Sequence, residues 1–108
     1  MNSTVLNRQS QSDYEFPDTF VMHEDAGHGW LEVPYSALVA LGITKEITGY
    51  SYRKGNTVYL EEDQDAMTFA HAFLKHHGLN GSNYLFFNQR LTSVYDGCES
   101  FIRSLRPF

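Results

Sequence analysis

EITGYSYRKGNTVYLEE, residues 46–62, decides the fold class. Two runs rich in tyrosine, valine and other β-formers flank Lys54-Gly55-Asn56-Thr57. A two-residue Gly55-Asn56 connection suits a tight hairpin, because glycine has no Cβ to clash at positive φ. In that register Tyr52 stands opposite Tyr59 and Arg53 opposite Val58. An aromatic cross-strand pair of this kind adds a few tenths to about 1 kcal/mol.

The hairpin runs straight into DQDAMTFAHAFLKHHGL, residues 63–79. Ala66, Phe69, Ala70, Phe73, Leu74 and His77 recur at helical spacing and form one apolar stripe. Asp63 is the expected N-cap, and Asp65 lies in the first turn near the positive end of the helix dipole. Gly78 ends the helix and lets Leu79 fold back on Leu74. The main helix is therefore expected over about 63–77.

Upstream, TFVMHE (19–24) and GWLEVP (29–34) read as strands joined through Asp25-Ala26-Gly27-His28. Gly27 and Gly29 are expected to supply positive φ there. Alternation puts Trp30 and Glu32 on one face and Leu31 and Val33 on the other, and Pro34 ends the strand. YSALVALGI (35–43) gives a short helix over about 36–41, stopped by Gly42, with Ile43 touching Leu38.

Downstream, YLFFNQRLTSVY (84–95) reads as a strand that buries Leu85, Phe87 and Leu91. Asp96-Gly97 reads as a turn, and SFIRSLRPF (100–108) as a short strand or extended tail that closes the sheet. Residues 1–17 are polar and aperiodic and read as a mobile tail, which leaves 18–108 as a single domain. The expected fold is α+β: an antiparallel sheet of four to six strands carrying one main and one short helix.

Charge narrows the function classes. Eight Lys and Arg face thirteen Asp and Glu, for a net charge of −5 and a pI near 5.4. Nucleic-acid affinity rests on basic side chains releasing phosphate counterions. Direct nucleic-acid binding is therefore disfavoured unless Arg53, Lys54, Arg90, Arg103 and Arg106 gather on one sheet. The acidic balance suits a basic partner. Cys98 is the one cysteine, so no intrachain disulfide forms. With no apolar run near the roughly 20 residues of a membrane helix, and no signal-peptide pattern at the start, a cytoplasmic protein is expected.

Two clusters invite chemistry. HEDAGHGW (23–30) holds His23, Asp25 and His28. A zinc site needs three or four donors at about 2.0–2.3 Å, and a metal-dependent hydrolase could use these three with an acid from Glu61–Asp65. Helical metal motifs, however, set two histidines four apart on one face, whereas these stand five apart across glycine. A turn is the favoured reading. EEDQD (61–65) lacks the twelve-residue layout of a calcium loop. It reads as an acidic helix start or as a contact patch for a basic partner.

The tyrosines Tyr50, Tyr52, Tyr59, Tyr84 and Tyr95 suit a contact surface, being large, rigid and half polar. The expected partner surface is Glu61, Glu62, Asp63, Asp65, Tyr50, Tyr52 and Tyr59. No catalytic residue is assigned. Cys98 has no patterned base beside it, and the chain carries neither a glycine-rich phosphate loop nor a nucleophile elbow, so no cofactor is expected.

GHGWLEVP, SALVALGI, ITGYSYRKGNTVYLEEDQDA and SFIRSL together resemble an uncharacterised family of small proteins found in bacteria and on phages, plasmids and other mobile elements. The likeness covers roughly residues 20–70 and 100–105, and Leu79–Cys98 departs from it. It brings no catalytic residues. It implies a setting in which small acidic proteins bind and block host machinery such as restriction or CRISPR complexes. A charge of −5 is weak for imitating DNA, one turn of which carries about 20 phosphates; covering a surface fits better.

The expected function is a non-enzymatic protein-binding module of mobile-element origin, inhibiting a host defence complex, with a host or phage protein as partner. The alternatives are the metal-dependent enzyme at His23, Asp25 and His28, and a homodimeric accessory joined through a sheet edge or a tyrosine face.

Overall fold

The Gly55-Asn56 hairpin forms in the expected register. Strand β3 (Tyr52–Lys54) meets β4 (Thr57–Glu61) with Tyr52 opposite Tyr59 and Arg53 opposite Val58. Gly55 takes a φ of 60°, and among the described residues no non-glycine residue is at positive φ. Positive φ at the first central residue alone is the type II′ pattern, whose twist matches that of the strands. The computed structural model describes residues 14–108.

Strands β1 (Phe20–Glu24), β2 (Gly29–Pro34), β5 (Leu91–Tyr95) and β6 (Arg106–Pro107) complete a six-stranded sheet in the order β5-β1-β2-β4-β3-β6. All neighbours run antiparallel except β1 and β5, which are parallel. The antiparallel expectation fails at this one pair for a connectivity reason. The chain crosses over through helices before returning to β1, and a parallel neighbour needs such a crossover.

Among the described residues three helices cover one face: α1 (Tyr35–Leu41), α2 (Asp65–His76) and α3 (Tyr84–Asn88). Alternation sends Leu31, Val33, Val58 and Leu60 into this layer, against Leu38 of α1 and Phe69, Phe73 and Leu74 of α2. The fold is therefore α+β, with a two-layer core. Gly42 ends α1 at φ 71°, and the Ile43 amide donates to the Leu38 carbonyl at 3.0 Å. Gly78 ends α2 at φ 74°, and the Leu79 amide donates to Leu74 at 2.8 Å. Both stops are those read from the sequence.

The stretch 84–95 is not one strand. Residues 84–88 are helical and only 91–95 are extended. The Asn80 side chain accepts from the Ser82 amide, and the Asn83 side-chain oxygen accepts from the Asn80 amide. This capping box starts a 3-10 turn (Gly81–Asn83) that flows into α3. An apolar run of four fits a helix or a strand equally well. As a result Phe87 is buried as expected, while Leu85 is 65% exposed.

The start of α2 also differs from expectation. Gln64, not Asp63, is the capping position and its side chain makes no cap. The Glu61 carboxylate instead accepts the amides of Asp63 (2.8 Å) and Gln64 (3.0 Å) from the end of β4.

The segment 100–108 closes the sheet through a 3-10 turn (Phe101–Ser104) followed by β6 on β3. The turn covers the second face, where Ile102 joins Trp30 and Tyr59 in a smaller apolar cluster. Of the tail expected over 1–17, residues 1–13 lie outside the described residues. Phe16 packs edge-on against Phe73 (5.2 Å between centroids), and the Tyr14 hydroxyl is 2.7 Å from Ser36 Oγ. Among the described residues no helix is long and apolar enough to cross a membrane.

Candidate functional site

Asp25 organises the corner between β1 and β2. Its Oδ1 accepts the amides of Gly27 and His28, both at 2.9 Å, which makes a local Asx turn. Its Oδ2 accepts the Ser100 amide (2.8 Å), and Arg103 grips the carboxylate through Nε (2.6 Å) and Nη2 (3.0 Å). The octet therefore turns a corner and ties it to the chain's last segment. Gly27 and Gly29 do not supply the expected positive φ. Gly29 serves a close approach instead: a Cβ there would fall 2.8 Å from Glu62 Oε2.

The Arg103 guanidinium holds the Asp25 carboxyl well below the usual carboxylate range, helped by the Ser100, Gly27 and His28 amides and opposed by burial. The same pairing raises Arg103. A depressed folded value means that the unfolded chain takes up a proton first as pH falls. The contribution of Asp25 is then complete above about pH 5 and drains away below it. Asp25→Asn is expected to flatten the acid limb of stability between about pH 5 and 2, read by urea unfolding at stepped pH. Parallel curves for the two proteins contradict the linkage.

His23, Asp25 and His28 are not brought to one point. The His23 ring lies between Glu32 (Nε2 to Oε1, 2.7 Å) and Asp96 (Nδ1 to Oδ2, 3.1 Å), Asp25 is taken by Arg103, and His28 is exposed near Trp30. Among the described residues no group of three or more His, Cys, Asp or Glu side chains is placed to hold a metal ion. Nor does the Ser100 hydroxyl bond to the His23 ring. The Ser100 hydroxyl donates to Asp96 at 2.7 Å, and both imidazole nitrogens already face carboxylates. A serine activated by histidine needs its hydroxyl on the ring.

The expected partner surface divides. Tyr50, Tyr52, Glu61 and Asp63 converge on one open groove of about 500 Å³, with Trp30 in its floor and His28 and Arg103 at its rim. Tyr50 is 73% exposed, and Tyr52 and Trp30 meet edge to face at 6.4 Å. Arg103 is neutralised by Asp25, so Glu61 and Asp63 leave the groove negative.

Three of the seven residues are corrected. Asp65 is fully buried, with Oδ2 accepting the Thr48 amide (3.0 Å) and the hydroxyls of Thr48 (2.7 Å) and Ser51 (2.5 Å). It pins the 48–51 loop and has no surface to offer. Tyr59 is 7% exposed, pressed under Phe101 on the second face; burial, then Glu32 and Asp96, push its hydroxyl up. Glu62 turns away from the groove, over Gly29.

The five basic residues do not gather either. Arg53 and Arg106 face each other across β3 and β6, while Arg90 precedes β5 at the opposite edge of the sheet.

Sequence reasoning missed Trp30 and His28 as groove residues: the alternation within β2 was readable, but the register that sets Trp30 beside Glu61 was not. It had no local signal for Arg103 or Asp96, whose partners lie more than 70 residues away in the chain. No family model, no curated protein and no solved structure matches this chain.

Proposed function

We propose that the protein is a non-enzymatic protein-binding module that receives a basic side chain of its partner in the groove between Tyr50, Tyr52, Glu61 and Asp63. The observation that carries this reading is the convergence of those four residues on one open, negatively charged and aromatic-lined depression. A guanidinium or ammonium placed there meets tyrosine faces, each such contact contributing about 0.5–2 kcal/mol, with the two carboxylates close by. The long aliphatic stem of the partner's residue would lie along the apolar floor.

The mobile-element setting implied by the resemblance makes a host defence complex the partner class to test first, with inhibition by covering a surface. The protein as bait in host lysate is expected to retain a partner at about micromolar concentration. Tyr50→Ala and Asp63→Asn, both changes at exposed positions, are each expected to weaken that complex by about tenfold or more, equivalent to about 1.4 kcal/mol. No retained partner, or two variants that bind as the parent does, defeats the reading.

A further inference from the structure

Trp30 is 3% exposed, and the little surface it keeps lies in the floor of the groove. Arg103 already stands over the ring, with Cζ 5.4 Å from the centroid, so one face is taken. The edge of the indole remains. Among the described residues nothing accepts from its Nε1. That atom is not sealed from solvent either, because Asp65 Oδ1 is the one buried side-chain polar atom there without a partner. The base of the groove therefore holds a rigidly placed N–H with no acceptor, and an indole nitrogen can only donate.

The two carboxylates of the groove are not equivalent. Both oxygens of Glu61 already accept amides, those of Asp63 (2.8 Å) and Gln64 (3.0 Å). Glu61 thus contributes charge, with its lone pairs partly spent. Asp63 is exposed, and among the described residues no group bonds to its carboxylate. Tyr50 is exposed in the same groove, with its ring open to a ligand.

These features select different parts of one ligand. A carboxylate with both oxygens free, near an open ring, matches arginine. The planar guanidinium takes two parallel bonds on one carboxylate and stacks on an aromatic face. An ammonium is a compact, strongly hydrated point charge that cannot fork onto a carboxylate in this way. Both basic side chains carry donors only, so neither can meet Trp30 Nε1. That acceptor has to come from another part of the partner, and every residue brings one in its main-chain carbonyl. Inside a helix this carbonyl is already bonded, whereas in an extended segment outside a sheet it is free.

We propose that the groove binds a linear segment of the partner, in which an arginine forks onto Asp63 and stacks on Tyr50 while a main-chain carbonyl accepts from Trp30 Nε1. This rests on the reading of the groove as the seat of a basic side chain, and narrows it to arginine in an extended peptide. Tyr52, edge-on to Trp30 at 6.4 Å, packs against the indole in the same groove.

Trp30 is the one tryptophan of the chain, so its indole N–H gives a single nitrogen–proton resonance that follows the floor of the groove. The full chain is titrated with capped pentapeptides that carry arginine, lysine or citrulline at the centre of four glycines, and with guanidinium ion alone. The arginine peptide is expected to move the indole proton downfield and to saturate with a Kd on the order of 1 mM. The lysine peptide should bind about threefold or more weakly, and the neutral citrulline peptide about tenfold or more weakly. Guanidinium ion has no carbonyl and should leave the indole proton without the downfield shift. In Asp63→Asn the arginine peptide should fall to the level of the lysine peptide.

A lysine peptide that binds as tightly as the arginine peptide overturns the proposal and leaves the broader reading of the groove standing. So does an arginine peptide that binds without moving the indole proton downfield. A citrulline peptide equal to the arginine peptide overturns both. If no peptide moves the resonance up to about 10 mM while a lysate partner is still lost on Tyr50→Ala, the linear arginine segment alone is overturned; with no such partner both fall.

Discussion

Phe73→Ala is expected to lower the unfolding free energy by about 3–5 kcal/mol. Its side chain joins several parts of the helix layer. The Phe73 ring lies 5.2 Å from Phe16, 5.8 Å from Phe20, 6.1 Å from Phe69, 5.6 Å from Phe87 and 4.3 Å from the His77 ring. These neighbours come from the segment before β1, from β1 itself, from α2 and from α3, so the hole left by truncation would be lined by four separate pieces of chain. Rings braced on several sides cannot collapse into such a hole, and the loss then includes a cavity as well as the transfer of the ring from water. A domain of this size has a total stability of about 5–15 kcal/mol, so the variant should be marginal or unfolded at 37 °C. Phe73→Leu, which keeps much of the volume, should lose much less. Urea unfolding of both variants measures this, and a Phe73→Ala loss below about 1.5 kcal/mol would mean that the rings repack.

The second large effect concerns Asp65. Its Oδ2 accepts three bonds from Thr48 and Ser51, while its Oδ1 is buried with no partner. The Ser51 hydroxyl in turn accepts the Glu61 amide at 2.9 Å. One carboxylate thus links the start of α2, the 48–51 loop and the end of β4. Asp65→Ala would leave the Thr48 amide and two hydroxyls without their acceptor, at a loss of about 2–4 kcal/mol. Asp65→Asn keeps one acceptor oxygen but places an amide nitrogen where Oδ1 now sits unpartnered; an intermediate loss of about 1–2 kcal/mol is expected.

The effect should reach the groove. The Tyr50 amide donates to Thr48 Oγ1 at 3.2 Å, so the loop that Asp65 anchors is the loop that presents Tyr50. Asp65 is a positioning residue for the proposed binding surface, not a contact within it. Partner affinity of Asp65→Asn, measured where the variant is fully folded, should fall with Tyr50 present. It should be unaffected once Tyr50 is already alanine. Additive losses would mean that the loop does not carry the coupling.

The elements that were legible from the chain alone are those whose cause is local. The Gly55-Asn56 hairpin, the Gly42 and Gly78 helix stops, the apolar stripe of α2 and the alternation of β2 each depend on residues a few positions apart, and each formed where expected. Half of the groove was legible for the same reason, since Tyr50, Tyr52, Glu61 and Asp63 all come from one hairpin and its flanks.

The tertiary structure decided the rest. A four-residue apolar run such as Tyr84-Leu85-Phe86-Phe87 is too short to distinguish helix from strand, and the asparagine capping box and the neighbouring α2 settled it. Asp65 reads like any acid at a helix start until Thr48 and Ser51 enclose it. Asp25 reads as a ligand until Arg103, 78 residues away, takes its carboxylate. Local sequence sets backbone conformation through sterics and periodicity. Whether a charged group ends in water, in a salt bridge or in a buried network depends on which distant chain segments surround it, and folding alone brings those together.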